Sequence, residues 1–341
     1  MVKSRLLAIV GPTATGKSAL GIALARWLDG EIVSCDSTAI YQGIDIGTDK
    51  VPPEAQQGIP HHMIDLVPPT EAYSAARYAT DAAAVVRGIT ARGRLPILVG
   101  GTGLYYRALV RGMFPGPARH PALRAALEAV ADRRGVEFLH RMVARLDPES
   151  ARRIAPRDRK RLVRALEVAY VTGVPLTTHF AQTQSPIADY EVITLALRLP
   201  AARIAERVAL RVDQQFARGV VDEVRGLLAR GVPRDAHALS GLVYRQVLEM
   251  LEGVRDEAAT RALIVQENRR YARRQLIWFR KEPNLLWLDG PGEAEETFDR
   301  ARALLSVRGF EPPGNGSPEH RNAPDQGLDH ARSARPRSAG P

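Results

Sequence analysis

The sequence predicts an α/β protein, a parallel sheet flanked by helices and interrupted by an inserted all-helical segment. Three observations predict it. Short, largely apolar runs, the pattern of strands buried on both faces, recur at residues 6–10, 31–35, 95–99, 192–199 and 285–288. Two of these runs break straight into glycine-rich turns followed by helical periodicity, at 11–27 and 100–109. Between residues 115 and 187 that pattern gives way to basic helices punctuated by proline, which reads as a helical insertion projecting from the sheet.

The first run, 6–10 (LLAIV), opens into GPTATGKS, which satisfies G-x-x-x-x-G-K-[ST] in the strand-turn-helix context the motif requires. Gly11 and Gly16 let the loop Pro12-Thr13-Ala14-Thr15 fold tightly, so that the backbone N–H groups of Thr13, Ala14, Thr15 and their neighbours crowd against phosphate oxygens at a helix N-terminus, where the helix dipole favours negative charge. Lys17 supplies a point charge to the terminal phosphates and Ser18 a hydroxyl to Mg²⁺. Residues 11–18 are therefore expected to bind a polyphosphate or diphosphate.

The second run, 31–35, ends at the only cysteine, Cys35, and opens into Asp36, Ser37 and Thr38. In a parallel sheet the carboxyl ends of the strands share one edge, which puts Asp36 beside the phosphate loop. A magnesium ligand, a general base and an Asp capping its own turn all fit that position. The segments 41–50 and 58–65 read as loops. His61, His62 and Asp65 do not make a metal site, because adjacent histidines on an extended chain point opposite ways and no further His or Cys lies nearby. The third run, 95–99, breaks into Gly100, Gly101, Thr102 and Gly103, so a second set of backbone N–H groups and the Thr102 hydroxyl join the same edge.

In the insertion, Arg152, Arg153, Arg157, Arg159, Lys160, Arg161 and Arg164 are the densest positive run of the chain. Helical spacing puts Leu162, Leu166 and Ala169 on one face and Lys160, Arg161 and Arg164 on the other, so either a solvated face or a phosphate contact is expected there. The later chain reads as helices over 201–230, 237–251 and 256–281, the last with Arg270, Arg273, Arg274 and Lys281 as an outward basic ridge. Asp289 follows the final strand but lies far from any glycine turn. The organisation expected is a core of 1–114 and 189–311, an insertion of 115–188, and a disordered tail of 312–341, rich in Pro, Gly and polar residues.

Composition sets the surroundings. The 341 residues carry 48 Lys+Arg against 38 Asp+Glu, a net charge of +10, which favours a polyanionic partner, nucleic acid before membrane. One cysteine excludes an internal disulfide framework and suits a reducing compartment. The N-terminal apolar run is shorter than a signal peptide's core of roughly 7 to 15 residues, and no stretch is long enough to span a bilayer. A soluble cytoplasmic protein is expected.

Taken together, GPTATGKS (11–18), DSTAIYQGIDIGT (36–48), PHHMID (60–65), YSAARY (73–78), LVGGTGLYYRAL (98–109), RDRKRLVRALEV (157–168), FARGVVDEV (216–224) and YRQ (244–246) resemble the bacterial tRNA dimethylallyltransferases, in that family's order and spacing. The resemblance implies a P-loop, nucleoside-kinase-like sheet with an inserted tRNA-binding domain. It implies transfer of a dimethylallyl group from dimethylallyl diphosphate to N6 of adenosine 37, beside the anticodon of tRNA, with Mg²⁺ as cofactor.

Asp36 matches the family's catalytic aspartate, with Lys17 and Thr102 as its partners in catalysis. Asp36, Ser37, Thr38, Ala39 and Thr102 would meet the tRNA anticodon stem-loop, together with Arg124, the segment Lys160, Arg161, Leu162, Val163 and Arg164, and Tyr244 and Arg245. A monomer without an obligate protein partner is expected. One departure stands out: Val243 precedes Tyr244 where the family usually has Gly. A small-molecule or nucleoside kinase, a prenyltransferase acting on free adenine nucleotides, and a non-enzymatic P-loop protein share parts of this pattern.

Overall fold

The strand β1 (Ser4–Val10) forms the middle of the sheet because Leu6, Leu7, Ala8, Ile9 and Val10 are all completely buried, three facing one side and two the other. The computed structural model describes residues 3–114 and 116–313. After β1 come α1 (Lys17–Leu28), β2 (Gly30–Cys35), a two-residue strand β3 (His61–His62), α2 (Ala75–Ala91), β4 (Leu95–Gly100) and α3 (Gly103–Arg111). The insertion follows as α4 (Pro121–Arg134), α5 (Val136–Leu146), α6 (Pro148–Arg153), α7 (Arg159–Thr172) and α8 (Leu176–Ala181). The chain then returns through β5 (Tyr190–Arg198), α9 (Ala201–Ala217), α10 (Val220–Ala229), α11 (Tyr244–Leu251), α12 (Glu257–Phe279), β6 (Leu285–Asp289) and α13 (Glu295–Ser306).

The strands lie in the order β3-β2-β4-β1-β5-β6 and every pairing is parallel. Register matters more than order here. Val10 and Cys35 both pair with Gly100, so β1, β2 and β4 end level and their three outgoing turns share one edge. Successive strand residues feed two cores. Leu7, Ile9, Ile32, Ile97 and Leu195 pack under α1 and α13, whereas Leu6, Ala8, Val33, Leu98 and Ala196 pack under α2, α3 and the helices from α9 to α12. The insertion has a core of its own, including Leu127, Leu139, Val143, Leu162 and Leu166.

Segment 58–65, expected as a loop, contributes β3, an edge strand pairing His61 and His62 with Ile32 and Val33. Two residues are too few to leave a periodic signal. Asp289, set aside as a metal ligand, ion-pairs with Arg198 at 2.6 Å. The tail expected to be disordered lies outside the described residues from position 314 onwards. Among the described residues no helix is long and apolar enough to cross a membrane.

Candidate active site

The phosphate loop starts at the end of β1, where Gly11 has φ 140° and a Cβ would stand 2.5 Å from the Leu197 carbonyl oxygen. It ends at Gly16, left-handed at φ 85°, which starts α1 with no side chain capping the first turn. The free N–H groups of that turn and the positive end of the helix dipole therefore face the space above the loop. Inside the loop, Thr15 is buried and donates its hydroxyl to the Pro12 carbonyl at 2.9 Å. Lys17 Nζ donates to the same carbonyl at 2.7 Å. Burial, reinforced by Arg211, brings the Lys17 amine down to about 7, with Asp36 and Cys35 opposing. Ser18 is exposed at the cavity wall.

Asp36 leaves the end of β2 and immediately turns. Its Oδ1 accepts from the Thr38 hydroxyl at 2.6 Å and from the backbone N–H groups of Thr38 at 2.8 Å and Ala39 at 3.3 Å. Among the described residues Oδ2 takes no hydrogen bond. One oxygen fixes the turn and the other is open, so the capping and chemical readings of this aspartate describe different atoms of it. Thr102 locks the turn sideways: its Oγ1 accepts from the Ser37 N–H at 3.1 Å and its own N–H donates to the Cys35 carbonyl at 3.1 Å.

Two cavities meet here. The inner one, about 240 Å³, is walled by the phosphate loop, Gly100 and Gly101, and the outer one, about 530 Å³, by Ser37, Thr38 and the 240–243 turn. They share Thr13, Asp36, Thr48, Asp49, Arg211 and Tyr271. Asp36 thus stands at the passage between a phosphate pocket and an open cleft.

Several lining residues carried no signal in the sequence. Arg207 and Arg211, one turn apart on α9, reach the phosphate loop by donating to the Ala14 carbonyl at 2.6 Å and the Thr13 hydroxyl at 2.7 Å. Asp49 ion-pairs with Arg211 at 3.1 Å and accepts from Gln215 at 2.7 Å, tying the 45–49 loop to the same helix. Gln275 on α12 bridges both glycine turns. Its Oε1 accepts from the Thr13 N–H at 2.8 Å and its Nε2 donates to the Gly101 carbonyl at 2.9 Å.

Known proteins share this architecture. tRNA dimethylallyltransferase 1 of Trichlorobacter lovleyi is 43% identical over 304 residues, covering 89% of this chain and 99% of that one. The tRNA dimethylallyltransferase of Salinispora arenicola is 45% identical over 303 residues, with 89% and 86% covered. Among solved structures, the tRNA isopentenylpyrophosphate transferase of Bacillus halodurans superposes with a TM-score of 0.67 at 35% identity, covering 90% of this chain and 97% of that one. A eukaryotic dimethylallyltransferase caught acting on tRNA gives 0.75 at 25% identity, covering 90% and 79%. The model of the family described as IPP transferase matches residues 39–282.

This chain belongs to the IPP transferase family.

In this IPP transferase the residues expected at an RNA surface do not all lie at one. Ser37, Thr38 and Arg245 line the outer cleft, and Lys160 and Arg161 are exposed on the insertion. Leu162 and Val163 are not at the surface: the period of α7 turns both into the insertion's core, where they are 0% and 1% exposed. Arg124 and Arg164 turn inward as well, pairing with the buried Glu167 at 2.8 and 2.6 Å. These two arginines and the hydrogen bond from the His120 N–H hold the Glu167 carboxyl down at about 2, although burial opposes them.

Tyr244, also expected on RNA, is completely buried. Its hydroxyl donates to Glu223 at 2.5 Å and accepts from the Gly47 N–H at 3.0 Å, so it braces the 45–49 loop from beneath. Val243, where the family's Gly was expected, takes φ 76° and ψ −60°, a backbone that glycine adopts at no steric penalty and valine does not.

Proposed function

We propose that this IPP transferase moves the dimethylallyl group of dimethylallyl diphosphate onto N6 of adenosine 37, beside the anticodon of a tRNA. The observation that carries the reading is the sharing of Asp36 by two cavities, one shaped for phosphate and one open to a large partner. A kinase cradle serves a diphosphate leaving group as well as a transferred phosphoryl group. In both, negative charge grows on a bridging oxygen, and Lys17, Arg207, Arg211 and the N–H groups starting α1 are placed to meet it.

The reaction balances over these residues. The bond between the allylic carbon and the diphosphate oxygen breaks, and diphosphate leaves with the electron pair. The N6–carbon bond forms as the amine gives its proton to Oδ2 of Asp36, the oxygen its own turn does not use. Thr102 acts one step back, keeping Ser37 and therefore the Asp36 turn against β4. The adenine must leave the anticodon-loop stack to enter the cleft, which costs a few kcal/mol, offset by contacts along the RNA.

Mg²⁺ fits the residues present. Among the described residues no three acidic, His or Cys side chains gather to hold a metal by themselves. A cation held mainly by diphosphate oxygens and water needs little more than the exposed Ser18 hydroxyl at the head of α1. It would neutralise charge on the departing diphosphate.

Incubation of the enzyme with labelled dimethylallyl diphosphate, Mg²⁺ and tRNA lacking the modification tests the reading. Label in the tRNA, with ATP and small hydroxyl acceptors left unconsumed in a parallel arm, is expected. ATP consumption with no label in tRNA overturns it in favour of a kinase.

A further inference from the structure

The outer cleft is basic, as an RNA cleft should be, with Arg211, Arg245, Arg270 and Arg274 in its wall. Three carboxylates interrupt that wall. Asp36 is the base of the reaction, and Asp49 is taken up by Arg211, Arg218 and Gln215. Glu267, on α12, is different. Arg245 donates to it at 2.7 Å and Gln246 at 2.6 Å, and both reach the same oxygen, Oε2. Among the described residues Oε1 has no partner, and it is not sealed from solvent.

The support beneath this carboxylate is unusual. Gln246 is completely buried, gives its amide N–H to Glu267 and leaves its own Oε1 unpaired. A buried amide half-satisfied in this way carries a penalty. What it achieves is a carboxylate held in one orientation at the cleft wall. A carboxylate only accepts hydrogen bonds and is repelled by phosphate, so the groups of RNA that suit it are the donors on base edges and the ribose hydroxyl. Of these, an exocyclic amine distinguishes one base from another.

We propose that Glu267 is a specificity residue, reading the nucleotide next to the reacting adenosine by accepting its exocyclic amine at Oε1. The inference rests on the tRNA prenylation proposed above. Gln246 and Arg245 act as positioning residues, holding Oε2 so that Oε1 faces the RNA.

The test uses anticodon stem-loops in which each flanking nucleotide is exchanged between adenosine and inosine, or cytidine and uridine, replacing the exocyclic amine by a carbonyl oxygen and turning the adjacent ring nitrogen from acceptor to N–H donor. The wild-type enzyme is expected to favour the amine member at one flanking position by roughly tenfold or more in kcat/KM. Glu267→Gln is expected to narrow that ratio to under about threefold, since an amide can flip to donate to the carbonyl. Arg245→Ala, which removes one of the two donors that hold Oε2, should narrow the ratio part-way, by less than Glu267→Gln. An identical ratio in wild type and Glu267→Gln at both flanking positions overturns the inference while leaving prenylation intact. A wild-type enzyme that modifies no stem-loop at all overturns the reading on which it rests, and the inference with it.

Discussion

Gln275 accepts the Thr13 N–H at 2.8 Å with one end of its amide, and with the other it donates to Gly101. One side chain from a late helix therefore sets the distance between the two glycine turns. Replacing it by leucine leaves a donor and an acceptor unpaired in a site that is 6% exposed. Gln275→Leu should destabilise the enzyme by roughly 1–3 kcal/mol and, by loosening the loop, raise the donor KM more than it lowers kcat. Denaturant titration and donor-saturation kinetics check both; an unchanged KM would make Gln275 a packing residue only.

Lys17 makes both donor binding and stability depend on pH. Its amine sits at about 7 in the donor-free enzyme against 10.5 in an unfolded chain, chiefly because it is buried. Diphosphate favours the ammonium, so above pH 7 donor binding must take up a proton. The donor KM is expected to rise with pH beyond that point, by at most about tenfold per unit, and Lys17→Met should flatten the rise while weakening binding throughout. Stability runs the other way. The penalty of the buried charge is fully present below about pH 7 and is relieved from there to 10.5, so the donor-free wild type should gain on Lys17→Met across that window.

Val243 predicts an inverted ranking. Its positive φ costs roughly 1–3 kcal/mol, and its side chain is 2% exposed in the main core. Val243→Gly loses packing and sheds the strain, whereas Val243→Ala loses packing and keeps it. The glycine variant should be the more stable of the two by about 1 kcal/mol, measured in urea. An alanine variant ahead of glycine would mean that the turn relaxes without penalty.

On the insertion, Lys160→Gln should weaken tRNA binding and lower the slope of log K against log salt by about 0.7 to 0.9, because that side chain is exposed and free of ion pairs among the described residues. Glu167→Gln should instead cost roughly 2 kcal/mol of stability by stranding Arg124 and Arg164. The carboxyl is held at about 2 rather than 4.5, so its stabilisation is present above pH 4.5 and disappears as pH falls towards 2. Equal salt slopes in wild type and Lys160→Gln would assign that face to solvent.

The parts of the site readable in the sequence are those whose physics is local. Buried parallel strands show as largely apolar runs, and a phosphate loop needs Gly11, Gly16 and Lys17 at one spacing. Arg207, Arg211 and Gln215 follow a four-residue step, which on paper matches any solvated helix face; only the packing of α9 against α12 over the loop makes it a wall. Gln275 was hidden for the same reason, in a helix whose arginines read as an outward ridge although Arg270 and Arg274 line the cleft. Charge was misleading in the insertion. The family resemblance puts Arg124 and Arg164 on the RNA beside Lys160, but Glu167 claims them.

The most direct test of the account is the single-turnover rate of prenyl transfer in Asp36→Asn with both substrates bound. Asparagine keeps an oxygen for the Thr38 turn and loses the base, so the account predicts a rate roughly 10²–10⁴-fold lower, with tRNA affinity and melting temperature unchanged. A transfer rate within about threefold of wild type would contradict it, because the proton of the incoming amine would then be leaving by another route.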